Sequence, residues 1–253
     1  MIEGLYPPFQ HWGASGTTWI LSDTHFNDPD LIHVYADRPS AEEQVKRINA
    51  KCGRADTLII LGDVGDISYV RQLRAKYKVL VMGNHDSGAS NYQRHIFKQK
   101  FDKGLFQKHE ALDEMKRLYP DCAYSIVDSY DFLDNSPCWE VSTDNKLFDE
   151  VYTGPIMISE KLLLSHEPIN MIPWAFNIHG HVHDRRAKNN GNHFNVCADV
   201  IGYEPINFNK WMKEGHLANI VSIHRDTIDR ATSNARKRGY RLGRKPQQCF
   251  LIF

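Results

Sequence analysis

Leu58-Ile59-Ile60-Leu61-Gly62-Asp63-Val64-Gly65-Asp66 is the stretch on which the fold turns: four apolar residues that break at once into glycines and carboxylates. The run is apolar on both alternations, so as a strand it would be buried on both faces. The same break recurs. Trp19-Ile20-Leu21 leads into Ser22-Asp23-Thr24-His25, and Val79-Leu80-Val81-Met82 into Gly83-Asn84-His85-Asp86. Further along, Leu162-Leu163-Leu164 leads into Ser165-His166-Glu167, and Ala175-Phe176-Asn177-Ile178 into His179-Gly180-His181-Val182-His183. Helices fit between the first three strands. Ser40-Ala41-Glu42-Glu43 reads as a capping box opening a helix through about Cys52, and Ile67 to about Lys76 carries Val70, Leu73 and Tyr77 at helical spacing. Strand, helix, strand, helix, strand implies an α/β protein with a largely parallel sheet. Ligands of such sheets bind beyond the carboxyl ends of the strands, so the five polar clusters should converge on one rim.

After Asp86 the pattern loosens. Asn91 to about Lys103 and Gln107 to about Tyr119 read as helices, followed by an acidic stretch resembling an insertion. A hairpin is expected from Gly154 to Ser165, a short strand at Phe194-Asn195-Val196, and a basic helix from Thr227 to about Arg238. Cys249 to Phe253 is apolar and is read as returning to a sheet edge. With no internal repeat or linker, the chain is taken as one domain over 1–253, with an insertion around 104–154 and a basic C-terminal extension around 212–253.

Composition bounds the function classes. At 253 residues and 42% apolar the chain can bury a sizeable core. Lysine plus arginine equal aspartate plus glutamate at 31 each, which removes the global positive field that nonspecific nucleic-acid binding favours. The balance hides a local asymmetry: nine acidic residues and one basic from Asp121 to Glu160, eight basic and two acidic from Arg225 to Lys245. These blocks either dock on one another or stand as separate solvated surfaces. The five cysteines are scattered, with no C-x-x-C spacing, and read as free thiols. No run approaches the roughly 20 apolar residues of a membrane span, and the N-terminus lacks the pattern of a signal peptide. A cytoplasmic protein without a membrane partner is expected.

Two divalent ions held a few ångströms apart need carboxylate and imidazole ligands, with one carboxylate shared to screen their repulsion. Asp23 with His25, and His181 with His183, are each two residues apart and can point to one side of a strand end. Asp63, Asn84 and His166 add ligands from three other strand ends. No cysteine lies in these clusters, so manganese, iron or zinc suits them better than a more thiophilic ion.

D-x-H at Asp23 and His25, G-D at Gly62-Asp63, G-N-H-D at Gly83 to Asp86, the lone His166 and G-H-x-H at Gly180 to His183 together resemble the calcineurin-like metallophosphoesterase signature, in order, over residues 17–184. The resemblance implies a β-sandwich of two mixed sheets flanked by helices, with a dinuclear site at the carboxyl ends of strands. It implies that Asp23, His25 and His183 hold one metal, that Asn84, His166 and His181 hold the other, and that Asp63 bridges them. His85 matches the family's catalytic histidine near the leaving group, with Asp86 orienting it. Asp23 to Phe26, Arg38-Pro39, and Asp199, Tyr203 and Pro205 are similar to patterns of small bacterial and phage phosphoesterases. Arg38 is read either as a phosphate contact or as a salt bridge at the start of a helix. Asp66, Glu167, His179 and Asp184 are expected beside the site rather than on a metal.

The implied activity is hydrolysis of a phosphate monoester or diester by a hydroxide bridging two divalent ions, manganese foremost, with a small phosphorylated substrate. A nuclease is the alternative, disfavoured because the long insertion is acidic. A non-catalytic scaffold should have lost ligands, and none is missing here. A homodimer is left open.

Overall fold

The computed structural model describes residues 2–14, 16–34, 37–88, 92, 94–119, 123–170, 173–183 and 191–237. Asp184, the tail beyond Lys237 and the apolar Cys249 to Phe253 terminus lie outside the described residues.

The three expected leading strands are present as β1 (Thr18–Leu21), β2 (Thr57–Ile60) and β3 (Tyr77–Val81), paired in parallel. β7 (Glu150–Tyr152) extends the sheet in parallel beside β3, and β12 (Ile206–Asn207) closes the other edge antiparallel to β1. A second mixed sheet has the order β11 (His193–Asn195), β10 (Phe176–His179), β9 (Leu162–Leu164) and β8 (Ile156–Ser159), parallel except for the β8–β9 hairpin.

Alternation decides what each face of the first sheet buries. Ile20, Ile59, Val79 and Val81 point inward and share one core with Ile158, Leu162, Leu164, Phe176 and Ile178 of the second sheet. Leu21, Leu58, Ile60 and Leu80 point outward, under Ala41, Val45 and Ile48 of helix α2 (Ala41–Lys51). Each fully buried aliphatic side chain contributes about 1.5–3 kcal/mol. Both faces are therefore apolar, which is why these strands read as continuous hydrophobic runs. α2 begins as expected: the Ser40 hydroxyl accepts from the Glu43 amide at 3.3 Å, satisfying one of the free donors of the first turn. The preceding helix, α1, is one short segment, Pro29–Val34.

Two expected helices are corrected. Ile67 to Lys76 is a brief 3-10 helix, Ile67–Gln72, because the chain is already extended at Leu73 to reach β3. Asn91 to Lys103 is mostly strand β4 (Arg94–Asp102), the first member of a third, antiparallel sheet ordered β4, β6 (Ser136–Lys146), β5 (Ala123–Asp131). Pairing with β6, some forty residues away in register at Phe101 and Trp139, overrides the local helical spacing. Helix α3 (Lys108–Leu118) covers this sheet, with Phe101, Ala111, Met115 and Val141 as a separate small core. The acidic block finds partners here: Lys98 meets Glu140 at 3.1 Å, Lys100 meets Asp131 at 3.6 Å, and Lys103 pairs with Asp128. β7, counted with the insertion from sequence, belongs to the main sheet. At the C-terminal side, α4 (Phe208–Lys213) buries Phe208 and Trp211 against the sandwich, and the expected basic helix is α5 (Ile223–Lys237).

Candidate metal centre

All the ligand-type residues follow the carboxyl ends of parallel strands: Asp23 and His25 after β1, Asp63 after β2, Asn84 after β3, His166 after β9, and His181 and His183 after β10. The convergence on one rim is as expected, but its local cause differs. Asp23, His25, Asp63 and His181 have positive φ, at 56°, 36°, 53° and 67°. Their side chains are therefore aimed by left-handed backbone just beyond the strands, not by strand alternation. Such conformations cost of order 1–3 kcal/mol each and persist only when the surroundings enforce them. Here the enforcement is visible: Asp23 N donates to Gly62 O at 3.0 Å and His25 N to Asp63 O at 2.9 Å. The two motif glycines have a steric reason as well. A Cβ on Gly180 would overlap Ser22 and the Asp23 carboxylate, and one on Gly83 would overlap the Asp63 carboxylate.

The imidazoles are oriented by what their outer nitrogens hold. His25 Nδ1 donates to Asp28 Oδ2 at 2.8 Å, and His166 Nδ1 donates to Leu61 O at 2.8 Å. His183 Nδ1 lies 3.4 Å from Asp199 Oδ1. Each ring thus turns Nε2 inward. His25 Nε2 is 3.4 Å and His166 Nε2 is 3.2 Å from the same oxygen, Asp63 Oδ2, while His183 Nε2 is 3.3 Å from Asp23 Oδ1. Asn84 Oδ1 lies 2.9 Å from His166 Nε2 and 3.1 Å from His181 Nδ1. Asp63 accordingly stands between a buried cluster, Asp23, His25 and His183, and a more open one, Asn84, His166 and His181.

These residues fit a pair of cations. Asp23 Oδ1 and His25 Nε2 are buried without a hydrogen-bond partner among the described residues, and the remaining inward atoms are lone-pair donors facing one another. Only protons or cations can relieve that arrangement. Two potential metal groups meet at Asp63, Asp23-His25-Asp63 and Asp63-His166-His181, and a third, Asp23-His183-Cys197, adjoins them through Asp23, each with its ligand atoms within 4.8 Å of one another. Burial alone would raise the Asp63 pKa, but the His166 hydrogen bond, the His25 ring beside it and the His85 amide hold it well below the usual carboxylate range. Burial would lower His166, yet the Asp63 hydrogen bond and the charges of Asp23 and Asp63 raise it to about 9. His183 is likewise raised, burial being outweighed by Asp199 and Asp23.

His85 is exposed, its amide held by Asp63 Oδ1 at 2.9 Å and its ring 5.4 Å from that of His25. Asp86 does a different job from the one its place beside His85 suggests. Its carboxylate accepts from the amides of Asp63, Val64 and Gly83 and from the Tyr92 hydroxyl, at 2.9 to 3.1 Å, and so knits the β2 and β3 loops together. The Arg38 guanidinium donates to the carbonyls of Asp23 and Thr24 and lies over the Tyr203 ring at 5.3 Å, bracing the backbone of the Asp23 loop. Asp66 caps its 3-10 helix through Ser68 N at 2.9 Å. His179 is buried and donates to Gly180 O at 2.8 Å, with its pKa lowered by burial, while Glu167 is exposed beside His166.

Sequence reading missed Asp28 and Cys197 and left Asp199 without a role. Asp28 lies three residues after His25 and could have been found as an acceptor for it. The fully buried thiol of Cys197 lies 3.1 Å from Asp23 Oδ2, so a cysteine reaches the centre in space although none lies within the sequence clusters. The two residues are 174 apart and meet because the backbone at Cys197 bridges in parallel to Ser22.

Two mixed sheets with a carboxylate and imidazole centre at their shared rim define a metallophosphoesterase architecture. Residues 16–201 match the family model of the calcineurin-like phosphoesterases, and the chain belongs to that family. The family's chemistry is metal-dependent hydrolysis of phosphoester bonds. No curated protein matches the sequence. Among solved structures, a protein of unknown function, AQ665 from Aquifex aeolicus, is similar with a TM-score of 0.47 and 21% identity, over 78% of this chain and 98% of that one. Among the described residues no helix is long and apolar enough to cross a membrane.

Proposed function

We propose that this chain hydrolyses the phosphate ester of a small molecule, using two divalent ions, manganese foremost, held by Asp23, His25 and His183 on one side and Asn84, His166 and His181 on the other. The observation that carries this reading is the Asp63 carboxylate, set between inward-facing nitrogens of both clusters at 3.4 and 3.2 Å. Ions bound there would neutralise phosphoryl oxygens and supply a nucleophilic water of lowered pKa. Asp63 shares its negative charge between the clusters, and His85, exposed at the rim, donates a proton or hydrogen bond to the leaving oxygen. A cleft of about 190 Å³ opens beside Asn84 and His166, bordered by Met82, Thr153, Pro155 and Ile169, with Glu167 at its edge.

The test is elemental analysis combined with turnover of nitrophenyl monoester and diester, cyclic nucleotides, dinucleoside polyphosphates and single-stranded DNA, with manganese added. Two bound ions and hydrolysis of a small ester are expected. Two bound ions with activity on DNA alone would replace this reading with a nuclease.

A further inference from the structure

Cys197 reaches the site through the backbone that follows β11. Ser22 N donates to Val196 O at 2.9 Å and Ala198 N to Ser22 O at 2.8 Å, which fixes residue 197 alongside the chain entering Asp23. Its Sγ lies 3.1 Å from Asp23 Oδ2, and the amide of His181 donates to the same oxygen at 2.9 Å. The other oxygen, Oδ1, has no hydrogen-bond partner among the described residues, is fully buried, and faces His183 Nε2 at 3.3 Å and His25 Nε2 at 4.0 Å. One carboxylate oxygen is therefore held by two donors, and its twin is turned towards the imidazoles.

We propose that Cys197 is a positioning residue for metal binding: its thiol, together with the His181 amide, fixes the rotation of the Asp23 carboxylate so that Oδ1 alone is presented to the ion. This rests on the dinuclear reading of the site. A carboxylate released from one of its two donors can swing Oδ2 into the cluster and crowd His183. Partners that orient a metal ligand typically change affinity by about 10–100-fold when removed. The contrasting arrangement is direct ligation, since Asp23, His183 and Cys197 also offer ligand atoms within 4.8 Å of one another. The geometry favours the donor role, because the thiol meets the oxygen turned away from His183 and His25.

The experiment measures manganese affinity and stoichiometry on the full chain by titration against a chelator, with circular dichroism to check folding. Cys197→Ala should weaken one of two ions by about 10–100-fold. Cys197→Ser, which keeps a donor of similar size, should restore affinity to within a few-fold of the unsubstituted protein. The cobalt-substituted protein should show no thiolate-to-metal charge-transfer band in the near ultraviolet. Equal affinity in the Ala variant overturns the proposal. So does a charge-transfer band that Cys197→Ser abolishes, which would make the sulfur a ligand. Fewer than two ions in the unsubstituted protein would instead overturn the dinuclear reading on which the proposal stands.

Discussion

At the scale of single residues, protons and cations compete for the same lone pairs. His166 carries a pKa raised to about 9, so near pH 7 without metal its inward nitrogen is protonated, and binding an ion must displace that proton. The apparent manganese affinity should climb by up to about tenfold per pH unit and level off above pH 9, with about one proton released at pH 7. Calorimetry in two buffers of different ionisation enthalpy measures that proton, and a release of zero would contradict the assignment. The sign for folding is opposite. In chelated protein the raised pKa stabilises the fold fully below 6.5, and this contribution is lost as pH rises through about 9. His85 allows a second prediction: His85→Ala should keep both ions but lose about 10²- to 10⁴-fold in rate on esters with poor leaving groups, and less on nitrophenyl esters. Equal losses on both, measured side by side, would remove it from the leaving-group role. The ligands themselves were legible because each sits in a short motif of fixed spacing. The residues that orient them were not. Asp199 and Cys197 contact His183 and Asp23 across the fold, and nothing local in NVCAD distinguishes a thiol that faces a carboxylate from one buried in a core.

Among the elements, one carboxylate ties the N-terminal segment to the main sheet. Glu150 on β7 accepts from Trp12 Nε1 at 3.2 Å, from the Tyr77 hydroxyl at 2.6 Å and from His11 at 2.6 Å, joining the 3-10 helix Pro7–Gly13 to β3. Burial alone would raise its pKa, but the hydrogen bonds of Tyr152, Tyr77, His11 and Trp12 hold it below the ordinary 4.5. That stabilisation is whole above about pH 4.5 and fades as pH falls through the depressed value. Glu150→Ala should cost about 1–3 kcal/mol at pH 7, chiefly by leaving the buried Trp12 indole without an acceptor. Denaturant melts at pH 7 and at pH 3.5 check it: the difference from the unsubstituted protein should shrink at the lower pH. A constant difference would mean that packing, not the ionised acceptor, is what Glu150 provides. Element identity was legible where both faces of a strand are apolar, as in β2, or where a capping residue announces a helix, as at Ser40. It failed at β4, where Ile96, Phe97 and Phe101 imitate helical spacing and the strand exists only through its ladder with β6.

For the whole molecule, the question is whether the third sheet is part of the catalytic body or an addition to it. Its strands pair with one another, its core of Phe101, Ala111, Met115 and Val141 is separate from both sandwich cores, and it contributes none of the seven ligand-type residues. Lys98 and Lys100 of β4, with Lys103 just after it, pair with Glu140, Asp131 and Asp128 of β6 and β5, so part of the acidic block is neutralised within the sheet itself. The chain leaves and rejoins the sandwich at one place. Phe148 N donates to Tyr92 O at 3.1 Å, and both residues are buried in the outer core of the main sheet. Across the seam, Arg71 lies 4.8 Å over the Tyr119 ring. Ends this close can be joined by a turn of about 2–5 residues. A chain with residues 94–146 replaced by such a glycine-rich turn should fold and bind two ions by elemental analysis. It should hydrolyse a nitrophenyl ester within about tenfold of the full chain, equivalent to about 1.4 kcal/mol of barrier. Loss of both ions in a shortened chain that still melts cooperatively would show that the third sheet shapes the metal centre. Failure to melt cooperatively would make it part of the folding unit, a dependence that the separate cores and the single point of departure argue against.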